Sequence, residues 1–336
     1  MVNIDQLRHL LRTHGAGPEH EKLALRAWLQ GRSLDAGHSR PDQFFPACLR
    51  AALPALEQQF DAIARVRSAH PAAEGDTRLL GDRSDGQSVE SVLLPREGVC
   101  VSTQAGCAVG CVFCMTGREG VKRHLGSAEI IAQVALARAC GHRVRKVGFM
   151  GMGEPAHNLD NVLDSIHWLG TAGGIGHKQL VFSTVGDRRA FERLPEGPVK
   201  PALALSLHTT KPQLRTELLP RAPRLSPAEL VALAGEYART TGYPVQYQWT
   251  LLAGINDGDD EVDAIARLLT GQYAVMNFIA FNPIPGSPLR RPELQRAAQM
   301  VRALRQRGVL AKLRHSAAQD VEGGCGQLRA RSLSLA

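Results

Sequence analysis

The alternation of two kinds of apolar run after residue 88 limits the fold of this chain more than any other feature. Short β-rich runs, VCVSTQ, KVGFMGMG, QLVFSTVG, PALALSLHTT, VQYQWTLLAG and NFIAFNPIP, recur along it. Between and after them lie runs of helical period: SAEIIAQVALARACG, NLDNVLDSIHWLG, RRAFERL, SPAELVALAGEYART, DDEVDAIARLLTG and PELQRAAQMVRALRQRG. A helix between two strands returns the chain parallel to itself, so repeated βα units predict a parallel sheet covered by helical crossovers. Six units fit a partial (β/α)6 barrel, an α/β fold, better than an open sheet. Ser127, ahead of AEI, and Ser226, ahead of Pro227, are the expected N-caps of two of the helices.

The first 85 residues read differently. IDQLRHLL, EKLALRAWLQ and CLRAALPALEQQFDAIARV carry helical patterns, and EGDTRLLGDRSDGQS reads as turns. The predicted organisation is a small helical accessory domain over 1–85 and a barrel over 86–336. MVNIDQLRHLLRTHG has no apolar core, so no export signal is expected, and no apolar run reaches the ~18 residues of a membrane span. Seven cysteines without such a signal predict a cytoplasmic chain whose thiols serve metals or catalysis before disulfides. The formal charge of +8, mostly arginine, suits a polyanion such as nucleic acid, although a basic protein without one has the same count.

Several strand ends carry polar or glycine residues: MGMGEP, STVGD, SLHTT and FNPIPG. The carboxyl ends of barrel strands carry active sites, so these four are expected around one pocket. The loop after the first barrel strand, GCAVGCVFCMTG, holds Cys107, Cys111 and Cys114 in a C-x3-C-x2-C spacing. Three clustered thiols are one short of a tetrahedral zinc site, for which His124 or Cys140 are candidate fourth ligands. They are also the number that leaves one iron of a 4Fe–4S cluster open. Cys48 and Cys140, on helical runs, are expected to be structural.

This cysteine spacing on a βα barrel resembles the radical S-adenosylmethionine superfamily, in which the open iron chelates S-adenosylmethionine and cleaves it to a 5′-deoxyadenosyl radical. CVSTQAGC and CGQL, with MGMGEP, SLH and FNPIPG in the same order, resemble the RlmN/Cfr family of radical SAM RNA methyltransferases over about residues 88 to 330. The resemblance implies cluster ligation by Cys107, Cys111 and Cys114. It implies cofactor contacts from Gly153, Glu154, Ser183, Ser206, Leu207, His208 and Asn282. It also implies two S-adenosylmethionine molecules per turnover: one methylates Cys325, and the other yields the radical that takes a hydrogen from that S-methyl group. The carbon radical adds to adenine carbon 2 or 8 of ribosomal or transfer RNA, Glu90 serves as proton acceptor, and Cys100 resolves the protein–RNA adduct through a disulfide with Cys325. An electron donor such as flavodoxin or ferredoxin and a monomeric enzyme complete the expectation.

Four departures from the family pattern stand out. The SVLLPREGV segment between Glu90 and Cys100 is short and lacks an R-x-T. STVGD stands for S-T-S-G, Ala317 and Ala318 stand for an Arg-Gly pair, and the N-terminal region keeps little of the pattern. Two other readings stay open at this point: radical chemistry on another acceptor, and a non-catalytic RNA-binding relic with a structural cluster.

Overall fold

The computed structural model describes residues 1–83 and 85–330. Its framework is a ten-stranded sheet. In chain order the strands are β1 (Arg65–Pro71), β2 (Thr77–Asp82), β3 (Ser88–Leu94), β4 (Gly98–Cys100), β5 (Gln104–Gly106), β6 (Val121–His124), β7 (Lys146–Phe149), β8 (Leu180–Thr184), β9 (Ala202–Ser206), β10 (Val245–Leu251), β11 (Ala274–Ala280) and β12 (Ala311–Arg314). The sheet order is β1-β2-β3-β4-β7-β8-β9-β10-β11-β12, and β5 and β6 form a separate hairpin.

From β4 to β12 every pairing is parallel. Helices cross between successive strands, and the barrel stays open because β1 and β12 are its two edges. The predicted partial barrel is therefore present, with a seventh parallel strand, β12, closing the run. Leu203, Leu205, Tyr247, Trp249, Met276 and Phe278, all buried on the central strands, belong to one continuous core. Strands buried on both faces need apolar residues throughout rather than alternation, which is why their runs stand out in the sequence.

Two local expectations are corrected. Ser127 is the first helical residue of Ser127–Ala139 and Gly126 is its cap, because Glu129 reaches back to the Gly126 N–H at 2.8 Å while the Ser127 hydroxyl accepts from the Ile4 N–H. Ser226 does cap Pro227–Thr241, in a reciprocal capping box with Glu229. The stretch read as turns contains β2, and antiparallel β1–β3 extend the parallel sheet beyond β4.

The N-terminal helices Ile4–Thr13, Pro18–Leu29 and Ala47–Asp61 share the barrel's core through Leu11, Leu25, Trp28 and Leu56. The Val2 N–H donates to Glu129 at 3.2 Å, tying the chain start to a barrel helix. No helix among the described residues is long and apolar enough to cross a membrane.

Candidate active site

The carboxyl ends of the parallel strands converge on one cavity. The cysteine loop after β4 gives it Cys107, Cys111 and Cys114, and the loop after β7 gives Gly153 and Glu154. Ser183 comes from β8, Ser206 and His208 from the end of β9, Gln248 and Thr250 from β10, and Cys325 from the C-terminal segment. Leu207 packs its side chain into the core instead, and only its backbone, donating to the Gln248 carbonyl at 3.0 Å, is near. Asn282 lies one layer out, bonded to the Cys325 segment rather than lining the cavity.

The cysteine loop is held in shape by close backbone approach. Gly110 has a φ of +68°, and Gly117 packs so tightly on Gly110 that a Cβ there would meet its backbone. Burial pushes the Cys107 thiol up to about 12 and raises Cys111 as well. Burial therefore favours the protonated thiols, and a thiolate here would need positive charge nearby. Arg215 supplies it. Its side chain is buried, its guanidinium donates to the carbonyls of Val185 and Ser206, and its field acts on Cys111 and Glu154. It sits on a seven-residue helix, Pro212–Leu218, that sequence periodicity did not single out.

The zinc alternatives lose their candidate ligands. His124 is hydrogen-bonded with Gln104 at 3.0 Å on β6, and Cys140 is an exposed residue ending a helix. Among the described residues no three His, Cys, Asp or Glu side chains gather as one metal ion needs. A lone zinc draws its thiolates to about 2.3 Å from one point. Three thiols lining one cavity with a buried carboxylate fit a larger cluster with a cationic ligand beside it.

Glu154 is that carboxylate. One oxygen accepts the Ala156 N–H at 3.0 Å and the other the Val185 N–H at 2.9 Å, while its own N–H donates to Gln104. Burial nonetheless raises its pKa to about 7. A cationic ammonium would replace the lost water and lower it again. His208 has a φ of +63° and accepts the Thr250 N–H at Nδ1, at 3.0 Å. That fixes the neutral tautomer with the proton on Nε2. Burial holds its pKa down at about 3, so it remains a neutral donor.

Cys325 is held against the three-cysteine loop. The Met115 N–H donates to the Gly326 carbonyl at 2.7 Å, and the Thr116 hydroxyl donates to the Leu328 carbonyl at 2.6 Å. Cys100, at the end of β4, is close enough for its charge and that of Cys325 to interact, and burial pushes its thiol up to about 12. Both are free cysteines.

Glu90 lies on β3, fully buried, 3.6 Å from the Arg78 guanidinium, and accepts the Arg329 N–H at 2.8 Å. Burial raises its pKa against the pull of Arg78. The short segment after Glu90 is a tight antiparallel turn that pairs Val92 with Cys100, so it sets the two strands side by side. Ala318, standing for the family's glycine, takes a φ of +51° and donates its N–H to Asp76 at 2.9 Å. Cys48 and Cys140, expected to be structural, are both exposed.

A cysteine-loop cavity at the carboxyl end of a parallel βα barrel defines a radical S-adenosylmethionine enzyme. Residues 101–269 match the radical SAM superfamily model. A probable RNA methyltransferase of Aromatoleum aromaticum is 66% identical over 99% of this chain and 94% of its own length. One from Leptothrix cholodnii is 63% identical over 99% of this chain and 96% of its own. The crystal structure of a radical SAM methyltransferase from Sphaerobacter thermophilus superposes with a TM-score of 0.85 at 32% identity, covering 98% of each chain. Streptococcus suis SuiB bound to S-adenosylmethionine shares the fold alone, at a TM-score of 0.51 and 12% identity over 83% of this chain and 56% of its own. The chain belongs to the radical SAM superfamily and, within it, to the RlmN/Cfr family of methyltransferases.

Proposed function

We propose that this enzyme methylates an adenine ring carbon, position 2 or 8, of ribosomal or transfer RNA, with Cys325 as the methyl carrier. The observation that supports it best is the seating of the Cys325 segment on the cluster loop, through Met115 and Gly326, with Cys100 beside it. A relic with a structural cluster has no use for two further thiols, Cys100 and Cys325, at that place.

Cys107, Cys111 and Cys114 are the residues to hold a 4Fe–4S cluster. Glu154, with the Gly153 turn, Ser183, Ser206, His208 and the Leu207 backbone, is placed to hold S-adenosylmethionine. Bound there, these groups supply a methyl cation equivalent in one use and a hydrogen-abstracting radical in the other. Arg215 offsets the thiolate charge, and the neutral His208 offers a proton from Nε2 without competing with the ammonium for Glu154.

Cys325 receives the methyl group on sulfur and, after losing one hydrogen from it, forms a carbon–carbon bond to the adenine. Glu90, with its affinity for protons raised, takes the proton displaced from the ring carbon, and the odd electron left on the adduct would return to the oxidised cluster, leaving a closed-shell thioether. The Cys100 thiolate then attacks the Cys325 sulfur, the sulfur–carbon bond breaks, and the released carbon takes up a proton, which completes the methyl group of the departing base. The two thiols end as a disulfide, and a thiol reductant must return two electrons before the next turnover.

The reading carries further partners: a one-electron donor such as flavodoxin or ferredoxin, and RNA gripped partly by the N-terminal helical region. It describes a monomer working in the cytoplasm. Mass spectrometry of RNA nucleosides from cells with and without the gene tests it. Loss of 2-methyladenosine or 8-methyladenosine in the deletion is the expected result, and an unchanged methyladenosine profile contradicts it.

A further inference from the structure

Asn282 has two sides, and both are engaged. Its Nδ2 donates to the Ser316 hydroxyl at 2.9 Å and to the Cys325 carbonyl at 3.0 Å. Its Oδ1 accepts from Arg291 Nη2 at 3.0 Å. The same Nη2 donates to Gln319 Oε1 at 2.9 Å, and Arg291 Nε donates to the Phe281 carbonyl at 2.7 Å. Asn282 and Ser316 are buried.

A guanidinium has donors only. Facing Arg291, the asparagine must therefore present its oxygen, and its NH2 is forced toward the C-terminal segment. With the amide turned over, its oxygen would face the Cys325 carbonyl and its NH2 would face the arginine, a repulsion at both ends. Arg291 thus fixes which way Asn282 points. Ser316, having accepted from Asn282, keeps its own proton free, and its side chain interacts with the Cys325 sulfur. The residue bearing the sulfur is held at its carbonyl by asparagine and at its side chain by serine.

We propose that Arg291 and Ser316, joined through Asn282, are positioning residues that latch Cys325 in place over the cluster cavity. This rests on the reading of Cys325 as the methyl carrier, since a transferring sulfur must be held to within a fraction of an ångström. The family resemblance implies a cofactor contact for Asn282; the latch gives that residue a second duty and gives Arg291 and Ser316 their first.

Alkylation of the whole chain by iodoacetamide, followed by peptide mass spectrometry, reads the latch directly. Cys48, Cys140 and Cys325 are all exposed residues, so the first two serve as internal references for the third, whose rate is taken on its unmethylated fraction. Arg291→Ala should speed alkylation of Cys325 about tenfold, as loss of a charge-assisted contact frees the segment, and leave both references unchanged. Ser316→Ala should raise it too, Ser316→Thr should restore the parent rate, and Arg291→Lys, lacking the forked donor, should not. A Cys325 rate within twofold of the parent in both alanine variants overturns the latch, as does equal acceleration at all three thiols. The same peptide maps report methyl on Cys325. Its absence from the parent protein would sink the carrier reading, whereas the alkylation ratio decides the latch either way.

Discussion

The backbone N–H of Met115, next to the third cluster cysteine, donates to the carbonyl of Gly326, next to Cys325, at 2.7 Å. More than two hundred residues of sequence separate them, yet this bond and that from Thr116 to Leu328 join the three-cysteine loop to the loop that carries Cys325, the proposed methyl carrier.

Anaerobically purified protein should be brown and hold about four iron and four sulfide per chain. Cys107→Ala, Cys111→Ala and Cys114→Ala should each abolish the colour, since three thiolates are the minimum for this cluster. Metal analysis and visible absorption check it, and a colourless protein with one zinc contradicts it.

Affinity for S-adenosylmethionine should follow the charge of Glu154. Its pKa in the cofactor-free site is raised by burial to about 7, so below pH 7 the carboxyl is mostly neutral and attracts the ammonium weakly. Binding measured by calorimetry should tighten between pH 6 and about pH 8, and Glu154→Gln should weaken it about tenfold and flatten the slope. For stability the sign is opposite: with the folded pKa above the unfolded value, cofactor-free protein binds the extra proton and loses stability as pH rises from about 4.5 to about 7.

Arg215→Ala should destabilise the fold by about 2 kcal/mol, because the Val185 and Ser206 carbonyls lose a buried donor. It should also lower the reduction potential of the cluster, since a cation near Cys111 is gone. Thermal denaturation and a redox titration read the two effects separately, and Arg215→Lys should restore much of the potential but less of the stability.

Binding to RNA should weaken steeply with salt, as expected when arginines displace counterions from phosphates. The target adenine must leave its stack to reach the cavity, so an RNA presenting it in a loop should bind better than a perfect duplex. Filter binding across a salt series checks both, and a flat response contradicts the assignment.

Much of the parallel sheet was legible because strands buried on both faces read as unbroken apolar runs. β1 was not: Arg65, Val66 and Arg67 are exposed on an edge strand, so no apolar pattern marks it, and β2 was hidden among turn residues. The short helix bearing Arg215 has few apolar residues, and its proline start gave no periodic signal. The cysteines, Glu154 and His208 could be named from local motifs. The contacts of Arg215, Arg291 and Ser316 follow no helical or strand period, reaching Val185, Asn282 and Asn282 across 30, 9 and 34 residues, and they exist only once the strand ends have been brought together.

The protein–RNA cross-link in Cys100→Ala tests the central claim most directly. That variant keeps the methyl carrier and loses the sulfur that frees it, so protein isolated from cells should arrive bound to RNA. Nuclease digestion followed by mass spectrometry should find an adenosine joined by one carbon to the GGCGQL peptide. The double variant Cys100→Ala, Cys325→Ala should show no adduct, since the two residues act in series. Cys100→Ala protein free of RNA, or Cys325 unmethylated in an enzyme that still methylates adenosine, contradicts the account.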